Sequence, residues 1–130
     1  MQNKMVRMNP TTVPSPVGNY SHVTIIPPGS TFYTFSGQIG INQAGVIPAD
    51  FNEQVALTFD NIQGVLTSKG LTADEVIKVN IWSTQPIDWV YFDHVWKAFF
   101  GPVNPSMTIA YISALGLPEL AIEIEIWAAS

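Results

Sequence analysis

The sequence predicts an α+β domain in which a mixed sheet carries two helices on one face. Three observations predict it. Apolar residues recur at steps of three and four over two separate stretches, and they alternate with period two over a third. The strand-like and helical runs also follow the order β-β-α-β-α-β-β, which suits one sheet with helices packed on one side. At 130 residues the chain is expected to form a single domain over 1–130.

Residues 1–18 contain Pro10, Pro14 and Pro16, which fix φ and lack an amide donor, so an extended lead-in is expected there rather than a helix. His22 to Ile26 is rich in β-branched residues and stops at Pro27-Pro28-Gly29. Thr31 to Ile41 alternates aromatic and small residues, then turns at Asn42-Gln43-Ala44-Gly45. Together these two runs read as a hairpin or meander. From Asp50 the period changes: Phe51, Val55, Phe59, Ile62 and Leu66 form one face of a helix of about twenty residues. Asp50 followed by Glu53 suits its start, and Gly70 its stop.

Val76 to Trp82 returns to strand character. A second helix is expected over about Ile87 to Phe100, with Trp89, Phe92, Trp96 and Phe99 on one stripe and Gly101-Pro102 ending it. Tyr91, Val95 and Phe100 lie off that stripe. A helix apolar on more than one face has more than one neighbour, so another subunit is expected to bury part of it. Two strands close the chain, Ser106 to Ile112 and Leu120 to Ala128. In the last, Leu120, Ile122, Ile124 and Ile126 point one way, while Ala121, Glu123, Glu125 and Trp127 point the other.

Composition excludes several functions. Apolar residues make up 47% of the chain and charged ones only 12%, so it folds around a core rather than staying disordered. Ten acidic residues against five basic ones, with a net charge of −5, oppose phosphate-backbone binding, which depends on Lys and Arg. No nucleic-acid partner is expected. Without cysteine there is no thiolate metal site or thiol nucleophile. No apolar run approaches the length that spans a bilayer, and none of signal-peptide type follows the basic residues near the N-terminus. A cytoplasmic protein without membrane contact is therefore expected.

Glu123 and Glu125 lie two residues apart on one strand face beside Trp127. A carboxylate there can serve as general acid or base, or merely solvate an exposed face. His22 and His94 have no spacing that pairs imidazoles on one helix face, so no metal site is expected. Ser36-Gly37-Gln38-Ile39-Gly40 lacks both phosphate-loop patterns. Glycine within such a strand marks a bulge or a close approach by a ligand or another backbone.

These segments accumulate: Gly18-Asn19-Tyr20-Ser21, Phe35-Ser36-Gly37-Gln38-Ile39-Gly40, Gln54 and Asn61, Val76-Ile77-Lys78-Val79, Phe99-Phe100 and Ile122-Glu123-Ile124-Glu125. Together they resemble the reactive intermediate deaminase (RidA, YjgF) family from about Pro16 to Ala128. The resemblance implies a chorismate-mutase-like subunit, a homotrimer with small-molecule clefts between subunits, and hydrolysis of imines and enamines without metal or organic cofactor. It implies Glu123 as the water-activating carboxylate, with Tyr20 and Ser36-Gly37 bordering the substrate. Where the deaminase branch carries an arginine that grips the substrate carboxylate, this chain has Met107. Ile109 stands where cysteine is frequent there, and Asp93 where asparagine is usual.

Methionine cannot make the charge-assisted, bidentate contact of that arginine. A small imine or enamine other than a typical 2-imino acid is thus the expected substrate, and Asp93, if it faces the cleft, shifts preference toward neutral or cationic ligands. The alternative is a non-catalytic trimer that binds a small molecule or regulates through it. The ribonuclease role attached to some relatives is opposed by the acidic balance.

Overall fold

The computed structural model describes residues 4–130. Among the described residues, seven strands and two α-helices make one five-stranded sheet, one two-stranded ribbon and a helical layer. Part of the lead-in pairs. Val6–Met8 (β1) lies antiparallel to Val23–Ile25 (β2), with Arg7 opposite Thr24. Residues 1–3 of that lead-in lie outside the described residues.

The expected hairpin of the first two strand runs does not form. β2 pairs with β1, whereas Phe32–Thr34 (β3) pairs with the C-terminal strand Ile122–Ala129 (β7). Pro27 and Pro28 between β2 and β3 lack the amide donors of a tight two-strand turn. Thr31 instead exchanges both backbone hydrogen bonds with Ser130, at 2.7 and 3.0 Å. Strand type follows from local alternation, but the partner follows from which long edge is available, and β7 offers eight residues.

Gln38–Ile39 (β4) continues along the same edge of β7. Thr34 faces Trp127 and Gln38 faces Ile124, so three residues, Phe35 to Gly37, oppose two, Glu125 and Ile126. One extra residue in one strand is a β-bulge, and it interrupts the ladder at the Ser36-Gly37 dipeptide. The other edge of β7 pairs antiparallel with Val76–Ser83 (β5), which runs parallel to Ser106–Tyr111 (β6). The crossover between β5 and β6 is the second helix, so the sheet is mixed, as expected.

Helix α1, Phe51–Thr67, starts where Asp50 accepts a hydrogen bond from the Glu53 amide, 3.0 Å long. It stops at Ser68 to Gly70, where Gly70 takes a positive φ of 68° that costs other residues steric strain. Helix α2, Trp89–Phe100, is capped by Asp88. The Asn52 amide, then the Tyr91 backbone N–H, hold the Asp88 carboxyl below the usual carboxylate range.

Both helices press on the same face of the sheet. Val55, Phe59, Ile62 and Leu66 of α1 and Phe92, Trp96 and Phe100 of α2 meet Val79, Ile81, Ile122, Ile124 and Ile126. Each such side chain contributes about 1.5–3 kcal/mol when fully buried. The α2 stripe differs from expectation at both ends. Trp89 remains 41% exposed, while Phe100, expected off the stripe, is buried with its ring 4.4 Å from Trp96. Tyr91 and Val95 pack against this core while staying partly exposed.

The chain's single arginine has a structural task. Its guanidinium donates to the backbone oxygens of Asp74 and Val76 at 2.7 and 2.8 Å, pinning β1 to the start of β5. Burial lowers its pKa from the ordinary value, against the opposing pull of Asp74 and Glu75. Replacing Arg7→Gln is expected to cost about 1–2 kcal/mol, read as a lower urea midpoint at unchanged slope. An unchanged midpoint would show the pin to be unnecessary.

Candidate functional site

Alternation along the strands divides the candidate residues between two faces of one sheet. Met107 on β6 lies in register with the buried Val79 and packs, with Ile109, against the helix-side core. Glu123 on β7 lies opposite Trp82, one step from the buried pair Ile81 and Ile124, and therefore projects to the other face.

On the helix side, a cavity of about 340 Å³ opens between α2, β6 and the lead-in. Met107 and Ile109 form its floor. Trp89, Phe92, Asp93 and Trp96 line it from α2, where spacings of three and four place them along one side of the helix. Tyr20 and the preceding Val17-Gly18-Asn19 close it from the lead-in. That segment is anchored: the Ser21 amide donates to the Pro105 carbonyl at 3.1 Å, and the Ser21 hydroxyl donates to the Asn104 carbonyl at 2.6 Å. The Tyr20 hydroxyl accepts from the Val17 amide at 3.2 Å, and its ring meets His22 edge-on at 5.5 Å. Trp96 is fixed by its indole N–H donating to Asn104 Oδ1 at 3.0 Å.

Among the described residues, no lysine, arginine or histidine lines this cavity. Arg7 is not among its lining residues, and its guanidinium is engaged by the backbone oxygens of Asp74 and Val76. Three of the predicted residues, Tyr20, Asp93 and Met107, thus come together around a predominantly apolar space with one acidic group. The aromatic wall itself was foreseen only as core. Its signal was present in the sequence, because Asp93 falls four residues after Trp89 and three before Trp96.

On the opposite face, the other three residues come together. Ser36-Gly37 occupies the bulge beside Glu123, and a Cβ on Gly37 would collide with the Glu123 carboxylate and lie 2.8 Å from its Cδ. Close approach is therefore why glycine stands there. The neighbouring carboxylate is engaged, since Asn80 Nδ2 donates to Glu125 Oε1 at 3.0 Å. Among the described residues, none donates a hydrogen bond to the Glu123 carboxylate, which leaves it available to a water or ligand. The surrounding face is open: Trp127 is 42% exposed, and Thr108 and Ala110 lie on the surface.

The fold and these two half-sites define an α+β protein whose sheet presents a carboxylate on one face and an aromatic cavity on the other. The family model described as endoribonuclease L-PSP matches residues 10–130, and the chain belongs to that family, which includes the reactive intermediate deaminases of the RidA/YjgF type. It is 34% identical over 115 residues to TdcF of Escherichia coli (strain K12), provisionally named a reactive intermediate deaminase, covering 86% of this chain and 87% of that protein. Among solved structures, YyfB of Yersinia pestis, a Rid-family protein of unknown function, superposes with a TM-score of 0.85 at 25% identity, covering 98% of this chain and 100% of that one. Escherichia coli TdcF with bound serine superposes with a TM-score of 0.70 at 27% identity, covering 96% and 99%. No helix among the described residues is long and apolar enough to cross a membrane.

Proposed function

We propose that this chain hydrolyses a small imine or enamine to a carbonyl compound and ammonia. It does so as a homotrimer whose sites each combine Glu123 and Ser36-Gly37 of one copy with the Tyr20, Asp93 and Met107 cavity of the next. The observation that carries this reading is the division of the candidate residues between opposite sheet faces, because one chain cannot bring its own Glu123 into its own cavity. The open face around Trp127 supports burial against a second copy.

Glu123 takes a proton from water as the water oxygen bonds to the imine carbon, whose C=N electron pair moves to nitrogen. The carbinolamine nitrogen, protonated, then leaves as ammonia while the remaining hydroxyl loses its proton to form the C=O. The Ser36-Gly37 backbone borders the reacting carbon, and Met107 supplies an apolar wall where the deaminase branch holds a carboxylate. The substrate is accordingly not a typical 2-imino acid. Ribonuclease action is disfavoured, since a chain of net charge −5 lacks the cations for a phosphodiester backbone.

A second reading, ligand binding without turnover, is favoured by the same lack of a basic group in the cavity. Mixed assembly separates the readings. Glu123→Gln chains and chains with the cavity filled by Met107→Trp are each expected to be inactive on a panel of neutral and acidic imines. Random trimers of the two should regain roughly one functional site in four, as a head-to-tail ring requires. Recovery at no mixing ratio would overturn the shared site. Wild-type protein whose melting temperature rises with a panel compound that it does not hydrolyse would establish binding alone.

A further inference from the structure

The helix-side cavity is unusual in what it combines. Its wall is aromatic, from Trp89, Phe92, Trp96 and Tyr20, and among the described residues of the same copy the one carboxylate lining it is Asp93. Trp89 meets Phe92 edge-on at 5.5 Å and Phe92 stacks on Trp96 at 6.1 Å; Phe92 and Trp96 are almost fully buried, so Trp89 and Tyr20 are the rings a ligand would chiefly meet. Asp93 is half-buried at this surface, and no cation lines the cavity to neutralise it. Lys97, one helical turn further on, is exposed and opens onto a separate hollow beside Pro102.

An anion entering this space would meet a carboxylate with no counter-charge. A neutral ligand would gain apolar burial only. A cationic nitrogen would gain the Asp93 charge together with cation–π attraction to the accessible rings of Trp89 and Tyr20, which acts within about 6 Å. At about 340 Å³ the cavity is at the small end of ligand pockets, suited to one ring or short chain.

We infer that this cavity selects a small apolar or aromatic body bearing a cationic nitrogen, an ammonium or an iminium, with Asp93 as its counter-ion. This rests on the reading of the cavity as a ligand site, and it names the substrate class. A protonated imine is both cationic and more electrophilic at carbon than the neutral form. The same selection that excludes 2-imino acids therefore favours the reactive form of a substrate lacking a carboxylate.

The test is calorimetric binding at neutral pH of three matched probes: 2-phenylethylamine, 2-phenylethanol and phenylacetate. The amine is expected to bind at least about tenfold more tightly than the alcohol, from counter-ion and cation–π attraction together. Phenylacetate is expected to bind more weakly than either. Because the trimeric reading brings Glu123 of the next copy to the same site, the comparison is made in Glu123→Gln protein, where Asp93→Asn should bring the amine to within about twofold of the alcohol. Asp60→Asn, an exposed carboxylate on α1 outside this cavity, should leave the preference intact, which separates it from general attraction to an acidic protein. Met107→Arg should reverse the order in favour of phenylacetate.

Equal affinity for amine and alcohol, tighter binding of phenylacetate by the wild-type protein, or an amine preference that survives Asp93→Asn in Glu123→Gln protein would each overturn the inference. Binding is read without turnover. An inactive protein that prefers the amine thus overturns only the hydrolytic reading, and an active one without that preference overturns only this inference.

Discussion

Replacing Glu123 with glutamine is expected to lower the rate of imine hydrolysis by roughly 10²- to 10⁴-fold, the usual worth of a positioned general base. The amide keeps the shape of the side chain and its place beside Gly37, but it cannot take the proton from water. The loss should fall on kcat with KM nearly unchanged, because the substrate is held by the aromatic cavity rather than by Glu123. The neighbouring carboxylate provides the control. Glu125 already accepts a hydrogen bond from Asn80, so Glu125→Gln should have a much smaller effect on kcat. Adding a methyl at Gly37 should act like a partial Glu123 variant, since the new Cβ overlaps the carboxylate and forces it aside. Full activity in Glu123→Gln would remove Glu123 from the mechanism, and equal losses at both glutamates would point to the charge of the face rather than to a base.

The second large effect is on stability. Gly40→Ala is expected to destabilise the protein by about 3 kcal/mol, the upper part of the range for overpacking a core. The reason is backbone contact: an added Cβ would lie 2.6 Å from the Cα of Gln54 in α1 and 2.7 Å from its carbonyl oxygen. Neither atom can move without moving the helix. The displacement would also strain a buried polar hub, because Gln54 donates to the Pro48 and Glu119 carbonyls and accepts from the Ala121 amide, each at 2.9 Å. Such groups cost about 1–3 kcal/mol each when left unpaired in the interior. Gly64→Ala is the matched control. It lies within α1 with nothing within 4 Å of the added carbon, so alanine should stabilise by about 0.5–1 kcal/mol through helix propensity alone. Thermal melts of the two variants should move in opposite directions, and a Gly40→Ala melt equal to wild type would refute the close-packing account.

The long periodic elements were legible because their information is local. The three-and-four spacing from Phe51 to Leu66 and the alternation from Ile122 to Ala129 each specify a face without reference to the rest of the chain. The short N-terminal strands were not. Val6–Met8 is three residues long, and nothing in those residues names Val23–Ile25 as its partner. The glycines of Ser36 to Gly40 were open to two readings, a bulge or a close approach by a ligand or another backbone: the extra residue opposite Glu125 and Ile126 makes the bulge, the neighbour at Gly37 is the Glu123 side chain, and another backbone comes close only at Gly40, where it is that of Gln54. Trp89, Phe92 and Trp96 read as core because a stripe of aromatic residues has the same spacing whether it meets a sheet or borders a cavity.

By itself the sequence determined an acidic, core-forming α+β chain, the helix faces, and the fact that Glu123 and Ile124 point to opposite sides of their strand. It also carried the composition that leaves one arginine for the whole chain. Only the tertiary structure decided that this arginine is spent on β1, that Asp93 joins three aromatic rings around an apolar space, and that Met107 lies on the opposite sheet face from Glu123. Side-chain alternation is a property of neighbouring residues, whereas register between β6, β5 and β7 depends on hydrogen bonds between segments far apart in sequence. That register puts the carboxylate and the cavity on opposite faces of the sheet.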